Sequence, residues 1–341
     1  MTTQTRETTI RTRATAPPVP RTPADGDVPT GGGRSSRRRR FTKHTPAGEV
    51  VLAYLNTQAA RLSVLDLAVR GDKPDAVHQL RVTVRRLRSA LQAFPEIVSE
   101  PDTRHLRTEL KWLGGVLGSA RDTEVLADHL HDSLASAPME LVLGPAQARV
   151  TAHFAPIEKS TRKAVLEAFD SERYRTLRAE LSRLLDNPPL TPKAAEPAAT
   201  ILPFAVGRAY RRTRRRMRRA DQVPAGQPRD VALHETRKAA KRARYAAEAA
   251  APALGKKGHK KAGQFAKRMK KVQSVLGDHQ DAVLARAAAR EIGVQAHLAG
   301  ENAFSFGLLE DRAHREAMAC EKQVPHVWRR ARRKSGWLPK S

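Results

Sequence analysis

The strongest constraint on this chain is a helix written twice. Ala76–Leu91, AVHQLRVTVRRLRSAL, returns as ALHETRKAAKRARYAA at Ala232–Ala247. His78, Arg81, Arg85, Arg86 and Arg88 of the first copy match His234, Arg237, Lys241, Arg242 and Arg244 of the second at a constant offset of 156 residues. Five matches at one offset mark an internal repeat, so the fold is one that two like units build together.

At about 100° per residue, with His78 at 0°, Arg81, Arg85 and Arg88 fall near 300°, 340° and 280° on the helix. On the same wheel Val77, Leu80, Val84, Leu87 and Leu91 fall within an arc from about 180° to about 260°. The apolar arc faces a core by its period, and the basic arc lies beside it. This places the cations along a groove between helices. No Asp or Glu lies in the first stretch to neutralise them. Like charges at these spacings cost about 0.2–0.5 kcal/mol per pair. A cost met twice in one chain points to a stripe that awaits an anion, against the simpler reading of a solvated cationic face.

Composition supports the same direction. Among 341 residues, 63 Lys and Arg stand against 35 Asp and Glu, a net charge of +28. That imbalance calls for a polyanionic partner: nucleic acid, polyphosphate or an anionic membrane. Aromatics are only 4%, so alanine and leucine must carry the packing. Cys320 is the single cysteine, which excludes an intramolecular disulfide and suits a reducing, cytoplasmic setting. The opening MTTQTRETTIRTR does not read as a secretory signal, and no run of eighteen apolar residues predicts a spanning helix.

In chain order, residues 1–46 are rich in Thr, Pro, Gly and Arg and predict a disordered basic tail that ends in Arg34, Arg37–Arg40 and Lys43. Helices are expected over Val50–Arg70, over the first basic stretch up to Pro95, and over Asp102–Leu117, where Gly118 predicts a break. Asp122 restarts a helix to about Leu134, and two more follow over residues 144–168 and 171–185. The proline-rich 187–199 reads as a linker between a first bundle, 47–186, and a second, 200–335. Ile201–Arg219 carries eight arginines, Arg208, Arg212 and Arg215 among them. The second basic helix starts near Asp230, and small residues on its apolar arc imply a close helix approach. A lysine-rich helix, Lys256–Leu276, is expected to break at Gly277. VLGDHQD at 275–281 matches VLGSARD at 116–122, and Lys270 matches Lys111. Final helices are expected over residues 282–292 and 303–322, before a basic tail that holds Trp328 and Trp337. No strand-period run appears. The expected fold is all-α, two bundles related by pseudo-symmetry.

The paired stretches VHQLRVTVRRLRSAL…LGSARD and LHETRKAAKRARYAAE…LGDHQD resemble the CHAD domain, the conserved histidine α-helical domain, over roughly residues 45–335. The resemblance implies two pseudo-symmetric four-helix bundles facing each other around a basic cavity, binding of inorganic polyphosphate and association with polyphosphate granules. It assigns the cavity to His78, Arg81, Arg85 and Arg88, then His234, Arg237, Lys241 and Arg244. Arg86, Arg242 and Lys238 at the stripe edges, Lys111 and its match Lys270, Lys267, and Arg208, Arg212 and Arg215 complete the candidate polyphosphate-binding set. Many relatives carry a triphosphate-tunnel domain with an ExExK motif. None occurs here, so the chain resembles a stand-alone member without that hydrolase activity.

Arginine offers phosphate a planar fork and lysine a mobile point charge. His78 and His234 are either anion contacts or structural histidines hydrogen-bonded to a carboxylate. Asp122 and Asp281 read as caps or buried partners of the basic helices. Asp128-His129-x-His131-Asp132 has metal-ligand residue types, but i,i+2 spacing turns them to different faces, and no metal or cofactor is expected. No phosphate-binding glycine loop or nucleophile motif appears, so no catalysis is expected. The alternative is a non-specific nucleic-acid binder, which basic charge alone would support. A third reading, an adaptor at a membrane surface, is disfavoured by the low hydrophobicity beside the arginines.

Overall fold

A computed structural model describes residues 41–333 and 335–339. Nine α-helices are present among them: α1 (Ala47–Arg70), α2 (Ala76–Ala93), α3 (Glu100–Ala135), α4 (Ala146–Asp170), α5 (Glu172–Asp186), α6 (Ala198–Gln222), α7 (Gln227–Ala250), α8 (Gly255–Leu298) and α9 (Phe304–Arg332). The described residues hold no strand, only the isolated bridges Pro46–Pro197 and Val98–Leu190. The fold is all-α.

The repeat is visible in the packing. α1 through α4 correspond to α6 through α9, and α5 has no counterpart. Each helix packs on the next within its repeat. Between repeats, α2 meets α7, α1 meets α6 and α3 meets α8. The cross-contacts are reciprocal: α1 touches α7 as α2 touches α6, and α3 touches α9 as α4 touches α8. This is the pattern of a pseudo-twofold axis.

The core follows from the periodic residues. Leu80, Val84, Leu87 and Leu91 of α2 are buried, as are Leu233, Ala240, Ala243 and Ala247 of α7. They belong to one continuous apolar core that draws on both repeats. A second cluster, including Leu130, Val150, Phe154, Ile292, Phe306 and Leu309, joins the far ends of α3, α4, α8 and α9. The described residues thus pack as one compact unit, and the 187–199 segment marks the end of a repeat. It is also tied down: Ser99 N donates to Pro189 O and Thr191 N to Ile97 O.

Several sequence expectations change. Gly118 and Gly277 do not break their helices. α3 and α8 run straight through them, with each glycine buried at a helix–helix contact. Residues 41–46 belong to the fold: Phe41 packs on the core, and Thr45 O accepts from Ala198 N at 2.8 Å. The rest of the predicted tail, with Arg34 and Arg37–Arg40, lies outside the described residues. At the other end, α9 reaches Arg332. Trp328 and Trp337 are packing residues, grouped with Tyr210 and Phe265 at ring separations of 5.6–6.1 Å.

Two helical glycines separate crowding from propensity. A Cβ at Gly293 would stand 2.9 Å from the Phe306 Cβ, whereas one at Gly115 would meet nothing within 4 Å. Gly293→Ala should lower stability by about 1–3 kcal/mol through overpacking of α8 on α9. Gly115→Ala should raise it by up to about 1 kcal/mol. Urea unfolding of both variants checks the pair; equal signs would show that α8 and α9 can separate freely.

Candidate anion-binding site

The seam between α2 and α7 gathers the central residues of both stripes. Arg81 and Arg85 of α2 face Arg237 and Lys241 of α7, and each of these arginines acts electrostatically on Lys241. α3 and α8 supply the opposing charges. Arg81 donates to both carboxylate oxygens of Asp122, at 2.7 and 3.1 Å. Asp281, the repeat partner of Asp122, faces Arg237 and Lys241. Both aspartates sit in mid-helix, so they are partners of the basic helices and not caps.

The helical glycines are part of this arrangement. A Cβ at Gly118 would lie 3.5 Å from Arg81 Nη2, and a Cβ at Gly277 would lie 3.1 Å from Arg237 Nη2. The glycine lets the guanidinium lie flat against the neighbouring helix. The carboxylate one turn later, at i+4, then meets it. Glycine and aspartate of the LGxxxD pattern together form a seat for the arginine, and the seat occurs once in each repeat.

Crowded burial shapes the protonation of the seam. Burial, with Arg85, Arg237 and Arg81 alongside, pushes the Lys241 ammonium well below the usual lysine range. Burial lowers Arg237 as well. It pushes the Asp281 carboxyl up, against the opposing pull of Arg237. His234 is lowered first by burial and then by Lys238 and Arg237, which favours neutral imidazole, and Gln280 hydrogen-bonds its side chain. That partner is an amide, not the carboxylate of the structural reading. Its Nδ1 and the Nε atoms of Arg85 and Arg237 are buried without a hydrogen-bond partner. His78 is half-buried on α2.

A second basic group flanks the first. Arg242 of α7 lies near Arg212 of α6 and Arg88 of α2; burial, reinforced by these neighbours, lowers it to about 10. Arg88 is lowered by burial and by Arg107 of α3.

Other candidates are placed differently. Arg244 is 3% exposed. It donates to Glu248 at 2.7 Å and to Gln273 at 3.2 Å. Arg86 lies 3.5 Å from the other oxygen of Glu248, and both guanidiniums lie over the Tyr245 ring. Arg244, assigned to the basic cavity by the resemblance, and Arg86 clamp α2, α7 and α8. Lys238 pairs with Glu235 on its own helix at 2.9 Å, and Arg208 pairs with Glu96 at 2.6 Å. Lys111, Arg212, Arg215 and Lys267 are exposed, and Lys270 is half-buried. Of the metal-ligand residue types on α3, where no metal is expected, His129 pairs with Glu316 of α9 at 3.4 Å. A hollow of about 400 Å³ between the end of α6 and the start of α7 is lined by Arg216, Arg219 and Glu235. It lies apart from the seam.

Glu248, Arg107 and the two glycine seats escape a reading of the stripes alone. The recurrence of LGxxxD was the signal available for the seats; Glu248 lies just beyond the matched stretch.

The domain model for CHAD matches residues 53–290. The chain belongs to the CHAD domain family. It is 34% identical over 289 residues to the uncharacterized proteins MT2285 and Rv2226 of Mycobacterium tuberculosis, strains CDC 1551 / Oshkosh and ATCC 25618 / H37Rv. The match covers 84% of this chain and 53% of each relative, so the chain spans about half their length. Among solved structures, the CHAD domain from the plant Ricinus communis is similar at a TM-score of 0.65 and 25% identity, over 84% of this chain and 93% of that one. PptA from Streptomyces chartreusis shares the fold at a TM-score of 0.69 and 21% identity, over 84% of this chain and 100% of that one. No helix among the described residues is long and apolar enough to cross a membrane.

The crowded, half-buried Lys241 gives a stability test. Between its depressed folded value and the ordinary lysine value of about 10.4, the unfolded chain binds a proton at Lys241 that the folded chain refuses. Unfolding therefore takes up a proton in that window, and stability rises with pH across it. Lys241→Met should be more stable than the parent at neutral pH, with the gap closing as pH climbs toward about 10. Melting curves from pH 6 to 10 check this; a constant gap would mean the amine is solvated.

Proposed function

We propose that the α2–α7 seam binds inorganic polyphosphate and through it associates with polyphosphate granules in the cytoplasm. The observation that carries the reading is the meeting of Arg81, Arg85, Arg237 and Lys241, with Asp122 and Asp281 as the acidic groups set against them. Two carboxylates leave an excess of positive charge in a partly desolvated groove. A chain of closely spaced phosphates supplies the missing charge and hydrogen-bond acceptors for the guanidinium edges. Arg88, Arg242 and Arg212 continue the cationic track, which suits a linear ligand. The same ligand class is what the CHAD resemblance implies.

Nothing in this arrangement requires bond cleavage. The seam offers charge and hydrogen-bond donors, and no nucleophile–base pair is built into it. The polyphosphate is read as cargo held intact.

One observation favours nucleic acid as a second partner. Arg212, Arg214, Arg215, Arg218 and Arg219 are exposed along α6, a face that attracts any polyanion by counterion release. The two readings part in competition. Long-chain polyphosphate should displace duplex DNA of equal charge, and DNA should not displace polyphosphate; equal competition would assign binding to the diffuse α6 face. Arg85→Gln with Lys241→Gln should weaken polyphosphate binding at least tenfold. Neutralising Arg37–Arg40 should cost much less, and equal losses would dissolve the seam as a site. Chain length after incubation should be unchanged on a gel.

Bound phosphate should also restore the Lys241 proton. Binding then takes up a proton between the free and bound values, so affinity falls as pH rises through that window. Calorimetry in buffers of different ionisation enthalpy measures the uptake. Lys241→Arg should keep binding and abolish the uptake; unchanged uptake would place the titrating group elsewhere.

A further inference from the structure

A separate cluster lies where the start of α7, the middle of α8 and the later part of α9 converge. His279 of α8 is 1% exposed. Its Nε2 stands 3.3 Å from Asp230 Oδ1 of α7 and 3.4 Å from Glu321 Oε1 of α9. The three ligand-type atoms lie within 4.8 Å of one another. We propose that Asp230, His279 and Glu321 form a binding site for a divalent transition metal of the zinc class.

The geometry leaves a place for a cation. One Nε2–H has a single proton to share between two carboxylates. Glu321 accepts it in a long hydrogen bond at 3.4 Å, and Asp230 at 3.3 Å is left without one from this nitrogen. The two edges from Nε2 are close to the roughly 3.3–3.4 Å ligand–ligand spacing around a metal with bonds of about 2.0–2.1 Å, and the third lies within 4.8 Å. Two carboxylates and a neutral imidazole carry the charge that offsets a dication, and they are the donor types that zinc takes. Both carboxylates are 25% exposed, so the fourth position opens to solvent.

The surrounding charges leave room for that cation. Arg229 lies 3.7 Å from the other oxygen of Glu321. Arg286, which acts on Asp230 at longer range, donates to Glu310. Burial pushes the Asp230 carboxyl up, and Glu321 adds to the effect against His279. The cluster is also not a demand of the repeated fold. Pro74 and Ala120 occupy the matched positions of the first repeat, where no such ligands exist. A metal here would tie three helices of the second repeat together. It would fix α7 about one turn before His234 and two turns before Arg237.

The test uses the full chain, stripped with a chelator and returned to zinc. One zinc per chain should be retained through gel filtration, with a rise in melting temperature. Cobalt(II) in place of zinc should give the intense visible absorption of a tetrahedral site. The near-isosteric Asp230→Asn/Glu321→Gln double variant, and Glu321→Gln alone if the double does not fold, should lose the retained zinc and the thermal response. His129→Ala/His131→Ala should keep both. Less than stoichiometric zinc on the parent, equal zinc on the carboxylate variants, or loss with the His129/His131 variant would each overturn the site. None of these outcomes bears on polyphosphate binding by the seam, which is measured separately.

Discussion

The fold turns on the way an arginine is seated against a neighbouring helix. In each repeat a basic helix sends one guanidinium over a glycine and toward an aspartate four residues farther along the partner helix. Arg81 lies by Gly118 and binds Asp122; Arg237 lies by Gly277 and faces Asp281. The seat sets the distance between the basic helix and the long helix beside it. It also neutralises one of the cations on each side. What remains is Arg85, with Lys241 beside it as an amine that burial and its cationic neighbours hold below its usual range. Had both aspartates been absent, burying four cations together would have been prohibitive. Had more acids been present, nothing would be left to bind with. The seam is a compromise between these two costs.

The two repeats solve the packing problem unequally. α2 uses leucine and valine on its buried arc, and α7 uses alanine at the corresponding positions. Small residues let α6, α7 and α8 approach closely. Polar clamps at the same level make up for the apolar surface that alanine lacks. Glu248 receives Arg244 from its own helix and Arg86 from α2, and Tyr245 lies under both guanidiniums. Tyr54 of α1 joins this group, its hydroxyl pushed above the ordinary range mainly by burial. These cations are used up in holding the helices. The pseudo-symmetry of sequence therefore hides a division of labour: Arg88 and Arg244 match in register, yet Arg244 is internal structure while Arg88 remains beside Arg107 and Arg242.

Much of this was legible before any coordinates. The period placed Leu80, Val84, Leu87 and Leu91 in the core, and they are buried. The constant offset paired the stripes, and Arg81, Arg85, Arg237 and Lys241 do meet. What periodicity could not convey was the use of glycine. In isolation Gly118 and Gly277 read as breakers, because glycine in a helix interior lacks favourable propensity. Continuous helices on both sides and a guanidinium in the vacated space override that local preference. Ion pairing across distant elements was equally hidden. The first stripe contains no acid, yet Asp122 and Glu248 reach it from α3 and α7. The 41–46 segment also reads as tail, since its composition is polar; the backbone bond from Ala198 N to Thr45 O holds it, beside that from Ala47 N to Glu196 O.

The distinction between cations held by acids and cations left over also bears on what kind of ligand fits. A duplex presents a broad, stiff array of phosphates and is met best by an exposed face such as α6. The seam cations are half-buried and drawn from two packed helices, so a thin, flexible chain reaches them with less obstruction. Burial raises the value of each contact, because a guanidinium edge without an acceptor is costly in a partly dry site. The Nε atoms of Arg85 and Arg237 are in that condition. Charge count alone would favour α6, which carries more arginines. Desolvation favours the seam, where fewer cations have more to gain from a phosphate.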